Sequence, residues 1–149
     1  MPEKTFTLED LGGLSFRKLN DNRYGVLFGL MDTDQIEVAD EETWNRVASE
    51  ANDKCLDISE WHLVTMTIKD RTHGPHVLGF SADGCYTTSA VKYIAPDRSA
   101  VVTQSNSLYR IGKPSDADEP EFSQLLFWVY TLRYWGMGVV VKDWPHVFF

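Results

Sequence analysis

The stretch His62-Leu63-Val64-Thr65-Met66-Thr67-Ile68-Lys69 decides the fold. His62, Val64, Met66 and Ile68 alternate with Leu63, Thr65, Thr67 and Lys69. Successive side chains leave a strand on opposite sides, so this period of two is the pattern of a β-strand with one covered face. A sheet begins here.

Working outward toward the C-terminus, further strands are expected at 76–81, 86–94 and 99–104, with a shorter one at 107–111. Asp83-Gly84, Pro96-Asp97 and Ser105-Asn106 separate them as turns, giving an antiparallel meander. Gly112 to Glu119 reads as an exposed loop, and Pro120 suits the first turn of a helix. In that helix Phe122, Leu125, Leu126, Val129 and Leu132 form one apolar stripe, and Phe127, Tyr130 and Tyr134 a second. A helix apolar nearly all round is either sunk in the domain centre or uses its second stripe against a partner chain. Gly136 is the expected C-cap, and Val139 to Val141 a last strand. The tail Trp144 to Phe149 ends in Phe148 and Phe149, which are costly to leave in water; folding back is preferred over insertion into another copy.

Working toward the N-terminus, His62 is preceded by a linker containing Cys55 and then by a helix over about 41–52. Asp40 is its N-cap, Glu41 and Glu42 complement the positive end of its dipole, and Trp44, Val47, Ala48 and Ala51 share one face. Ser15 to Leu19 and Tyr24 to Met31 are expected as a hairpin, turning through Asn20 to Arg23. Thr7 and Asp10 resemble a capping box closed by Gly12-Gly13. The expected fold is therefore α+β: an antiparallel sheet of about five to seven strands packed against two helices, in a single domain spanning 1–149.

The chain has 149 residues, long enough for one proper core, and 43% hydrophobic content argues against extended disorder. With 22 acidic and 14 basic residues the formal charge is -8, so the long-range field repels nucleic-acid phosphates and anionic lipid. Direct nucleic-acid binding is not expected; the acidic groups are read as solvated helix starts and loops, with mimicry of a nucleic-acid backbone as the sharper alternative. Met1 to Phe6 show neither a basic n-region nor an apolar h-region and no run of about 18 apolar residues occurs, so neither a signal peptide nor a membrane span is expected, and two cysteines thirty apart suit a reducing compartment. A cytoplasmic protein with free thiols, off the membrane, is the expectation.

Chemical motifs are sparse. No Gly-x-Gly-x-x-Gly or phosphate loop occurs, and Gly25 and Gly29 sit in a strand, where they relieve crowding or mark a bulge. His73-Gly74-Pro75-His76 places two imidazoles three apart, and with Cys85, and with Cys55 or His62 nearby, would make a Cys/His metal site; the close Cys-x-x-Cys pairs of a zinc ribbon are missing. The plainer reading makes His73 a loop residue and His76 the first of a strand. Asp83-Gly84-Cys85-Tyr86 reads as a hairpin turn rather than a nucleophile elbow, so no catalytic residue and no cofactor is nominated. Aromatic richness leaves room for a ligand cleft, for which Trp61, Trp128, Tyr130 and Trp135 are the candidates.

Thr88 to Val91 together with Val101 to Gly112 is similar to a short pattern in small uncharacterised bacterial proteins, often of phage or other mobile DNA. The resemblance covers roughly a sixth of the chain and implies no activity. The functional expectation is a non-enzymatic accessory protein that works by contact with a protein partner or with itself as a homodimer, using Phe127, Tyr130, Tyr134, Phe148 and Phe149. A small-molecule binding module and a Cys/His metal protein or enzyme are the alternatives.

Overall fold

In the computed structural model the described residues are 26–32, 35–68 and 70–134. They form β1 (Val26–Met31), α1 (Glu41–Glu50), β2 (Asn52–Ile68), β3 (Arg71–Ser81), β4 (Gly84–Ile94), β5 (Ala100–Thr103), β6 (Ser107–Ile111) and α2 (Phe122–Tyr134). The expected capping box at Thr7, the Ser15–Leu19 strand, the Gly136 cap, the Val139–Val141 strand and the aromatic tail lie outside these residues. No helix among them is long and apolar enough to cross a membrane.

The six strands follow one another in chain order, each antiparallel to the last, and β6 then pairs with β2 in parallel. The parallel closure follows from the count. Five strands run alternately up and down from β2 to β6, so the first and last point the same way. The result is a closed five-stranded barrel with β1 laid along the second half of β2. The α+β expectation holds, with closure as the addition.

Two sequence expectations change. Residues 52–61 are strand, not linker, and β3 starts at Arg71, so His73 pairs with Met66 and His76 with Val64 inside a strand. A straight strand of 17 residues would run roughly 55 Å. β2 bends instead. Cys55 and Glu60 take left-handed φ of 54° and 49°, and at both places extra residues on β2 oppose fewer on its partner. Such bulges kink a strand and increase its twist, which lets one strand serve two sheets. Its first half pairs with β6 and its second half with β1 and β3.

The barrel interior holds Ile58, Trp61, Leu63, Val77, Ile94, Val101, Tyr109 and Ile111. Inside it the Tyr86 and Tyr109 hydroxyls are 3.1 Å apart. Gly79 lies against the bend, where an added Cβ would meet Ile58 Cγ2 at 2.6 Å and the Ser59 carbonyl at 2.8 Å. Gly29 relieves crowding likewise, opposite Thr65.

On the outer face α2 lies over β3 and β4. The buried face of α2 carries Gln124, Leu125, Trp128 and Thr131, so it is rotated from the stripe expected through Leu126. Trp128 packs edge-on to Phe28 with centroids 6.2 Å apart and against His76 at 5.3 Å. Gln124 is polar yet buried because it has two tasks. Its Oε1 accepts from the Glu121 N–H at 2.9 Å, the return half of a capping box, and its Nε2 donates to the Glu60 carbonyl at 2.9 Å. The helix start is thereby tied to the bulge in β2.

Candidate functional site

α1 begins where the sequence places it, with the Asp40 carboxylate accepting from the Thr43 N–H. That bond holds the Asp40 carboxyl below its usual range. The helix is pinned at both ends. Ala39 N–H donates to the Ile94 carbonyl at 3.0 Å, fixing its start to the end of β4. At its other end Asn106 Nδ2 donates to the Glu50 carbonyl at 3.2 Å, and Asn52 N–H donates to the Asn106 carbonyl at 2.9 Å. Asn106 sits at φ 61° in the β5–β6 turn, a conformation that asparagine tolerates.

Between the pinned helix and β4–β5 lies a groove of about 280 Å³. Buried Val47, Val102 and Thr103 line it together with half-buried Tyr93, and exposed Arg46, Glu50, Lys92, Gln104 and Asn106 complete it. The Lys92 ammonium stands 5.6 Å from the centre of the Tyr93 ring. Arg110 is held by Asp57 at 2.8 Å and Lys113 by Asp116 at 3.1 Å. Arg46 and Lys92 have no such ion pair among the described residues. The groove thus presents two cations and one carboxylate in a chain whose net charge is -8. Chemically this suits non-covalent recognition of an anionic group, with amide side chains and an aromatic ring beside it.

The residues nominated from sequence fall elsewhere. Trp61 is in the barrel interior and its indole N–H donates to the Gly112 carbonyl at 2.9 Å, whereas Trp128 is buried under α2 against β1 and β3 residues. The two belong to different layers and do not share a cleft. Phe127 is half-buried on α2. Tyr130 and Tyr134 are also on α2, with side chains outside the described part, and Trp135, Phe148 and Phe149 lie outside the described residues altogether.

His73 and His76 flank the bulged Gly74-Pro75 step of β3. Cys85 pairs with Phe80, four residues along β3 from His76 and so roughly 13 Å away. Cys55 is exposed on β2, far from that end of β3 in the pairing. Among the described residues no three of His, Cys, Asp and Glu converge as metal ligands.

The imidazoles behave as core groups. Burial pushes His62 and His76 below their ordinary pKa. His76 Nδ1 lies 3.0 Å from the Thr88 carbonyl, to which it donates in the neutral ring; His62 Nε2 is buried with no hydrogen-bond partner among the described residues. Burial raises the Cys85 thiol, and a hydrogen bond with Ser123 offsets part of that. Burial also raises the Tyr109 phenol, and the Tyr86 hydroxyl adds to it. Compared with models of protein families, with curated proteins and with solved structures, the chain finds no match.

Sequence reasoning missed the groove. Arg46 and Glu50 are legible as the exposed side of an amphipathic helix, and Lys92-Tyr93 as a strand pair. Their meeting depends on α1 lying across β4 and β5, which no local pattern encodes.

Proposed function

We propose that this chain is a non-enzymatic accessory protein of the cytoplasm that acts by binding, and that the groove between α1 and β4–β5 is where it binds. One observation carries the reading: Arg46 and Lys92 line one groove together with the Tyr93 ring and the Gln104 and Asn106 amides, and among the described residues neither has an ion pair. Two cations beside an aromatic ring and two amide side chains suit an anionic or polar partner group. The groove lining also contains no histidine or cysteine, the usual proton carrier and nucleophile.

The test is in-cell photo-crosslinking. A benzophenone-bearing residue replaces Gln104 in the groove or, as control, Asp83 in the β3–β4 turn at the other end of β4. Discrete adducts from position 104, absent from position 83 and abolished by Arg46→Glu with Lys92→Glu, are expected. No adduct at 104, or the same adducts from both positions, overturns the reading.

A further inference from the structure

Among the described residues the buried imidazoles are His62 and His76, 8% and 6% exposed, and both lie on the outer face of the sheet. Leu63 and Val77 pair across β2 and β3 with their side chains inside the barrel. The flanking pairs, His62 with Leu78 and Val64 with His76, therefore point the other way, toward α2. Trp128 of α2 stands 5.3 Å from the His76 ring and 6.2 Å from the Phe28 ring of β1, so the helix spans this face. The Gln124 bond to the Glu60 carbonyl anchors the helix start two residues from His62. His62 Nε2 has no hydrogen-bond partner among the described residues, and neither has Thr87 Oγ1, which lies across Leu78 from it. We infer that α2 is an acid-released cover: proton uptake by His62 and His76 lifts the helix from the sheet while the barrel stays closed. This device is independent of the groove and its role.

A neutral imidazole is tolerated under the helix, but a charged one there loses its water, so protons favour the form in which α2 is open and both rings are wet. The titratable groups around the rings do not offset this. His73, on the same face of β3, becomes a further cation in acid and repels a charge on His76. On β4 the Cys85 thiol is neutral in acid and interacts with Ser123 and Glu121 at the start of α2. Glu60 on β2 and Glu121 are exposed, where water screens them, and β1 carries no ionisable side chain. The barrel stands by itself, because the pairing of β2 with β6 and the backbone bonds that continue that seam use no residue of α2. The helix is thus a separate unit of stability, free to open ahead of the strands.

The experiment is hydrogen–deuterium exchange of the full chain at pH 7.5 and 5.5, corrected for the intrinsic exchange rate. At pH 5.5 residues 125–134 should be less protected than 100–111 by about tenfold or more. An imidazole that titrates at its ordinary 6.5 when open and stays neutral when covered raises opening by up to about tenfold over this interval. His62→Leu should remove one such factor from the response of α2 and His76→Gln the other, with retained protection of 100–111 showing that each variant folds. Where leucine disturbs the sheet, His62→Gln, equally unable to titrate, should give the same loss. A merely structural role would lower protection at both pH values and leave their ratio unmoved. Equal protection of the two segments at pH 5.5, no response of α2 to pH, or a response that neither variant reduces overturns the inference.

Discussion

His62 shows what a single side chain contributes. It is buried on β2 and its Nε2 has no hydrogen-bond partner among the described residues. In the unfolded chain the ring titrates near its ordinary 6.5, and in the folded protein burial holds it lower. Between those two values the unfolded chain binds a proton that the folded protein refuses. Stability is therefore intact above pH 6.5 and is lost as pH falls from there toward the folded value, with His76 adding in the same direction. His62→Leu should flatten this loss and leave stability near pH 7.5 unchanged or higher, because it removes an orphaned polar atom. Urea midpoints at pH 7.5 and 5.5 decide it; an unaltered difference between them would assign the pH dependence elsewhere. Gly79 makes a steric case at the same scale. Gly79→Ala drives a methyl into Ile58 and the Ser59 carbonyl, and should cost about 1–3 kcal/mol in urea unfolding.

Among the elements, α2 and β2 depend on each other through Gln124. Gln124→Ala removes both of its bonds and leaves the Glu121 N–H and the Glu60 carbonyl to find new partners. A loss of roughly 1–3 kcal/mol is expected, with the fluorescence of Trp128 reporting whether α2 loosens first. Gln124→Glu separates the two tasks, since it keeps the acceptor for Glu121 and loses the donor to Glu60. Sequence reading did well where element and pattern coincide. The alternation at 62–68 is a strand and Asp40 caps a helix, while the β3–β4 hairpin turns through Ala82-Asp83, one residue before the expected Asp83-Gly84, because Gly84 already pairs with Ser81. It failed on residues 52–61 for a definite reason. Ile58 points into the barrel, and so do Trp61 and Leu63, but the Glu60 bulge shifts the alternation by one residue between Ile58 and Trp61. A period broken in the middle looks like no period. The groove was hidden in another way: each of its residues is ordinary in its own element, and only the packing of α1 across the sheet unites them.

For the whole molecule the parallel seam sets cooperativity and speed. Beyond the β2–β6 pairs, the Gly112 N–H donates to the Ile58 carbonyl at 2.8 Å, Glu60 N–H to the Lys113 carbonyl at 2.7 Å, and Ser115 N–H to the Trp61 carbonyl at 3.0 Å. This seam joins Asn52 to Ser107 with three strands between, so loop closure must precede any gain from it. Refolding followed by stopped-flow tryptophan fluorescence should take milliseconds to seconds, not microseconds. A microsecond phase carrying the full amplitude would show that the barrel closes without waiting for its seam. The same geometry governs the chain during synthesis. At roughly 5–20 residues per second, the ribosome needs seconds to pass from Ile68 to Ile111, and the first half of β2 waits that long with its seam edge unpaired. A waiting edge invites the wrong strand. Here it carries exposed Asp53, Lys54, Asp57 and Glu60 and the kinks at Cys55 and Glu60, the charge and bulge devices that keep strand edges from pairing with neighbouring chains. The features that conceal this strand from a reader of the sequence also conceal it from other nascent chains.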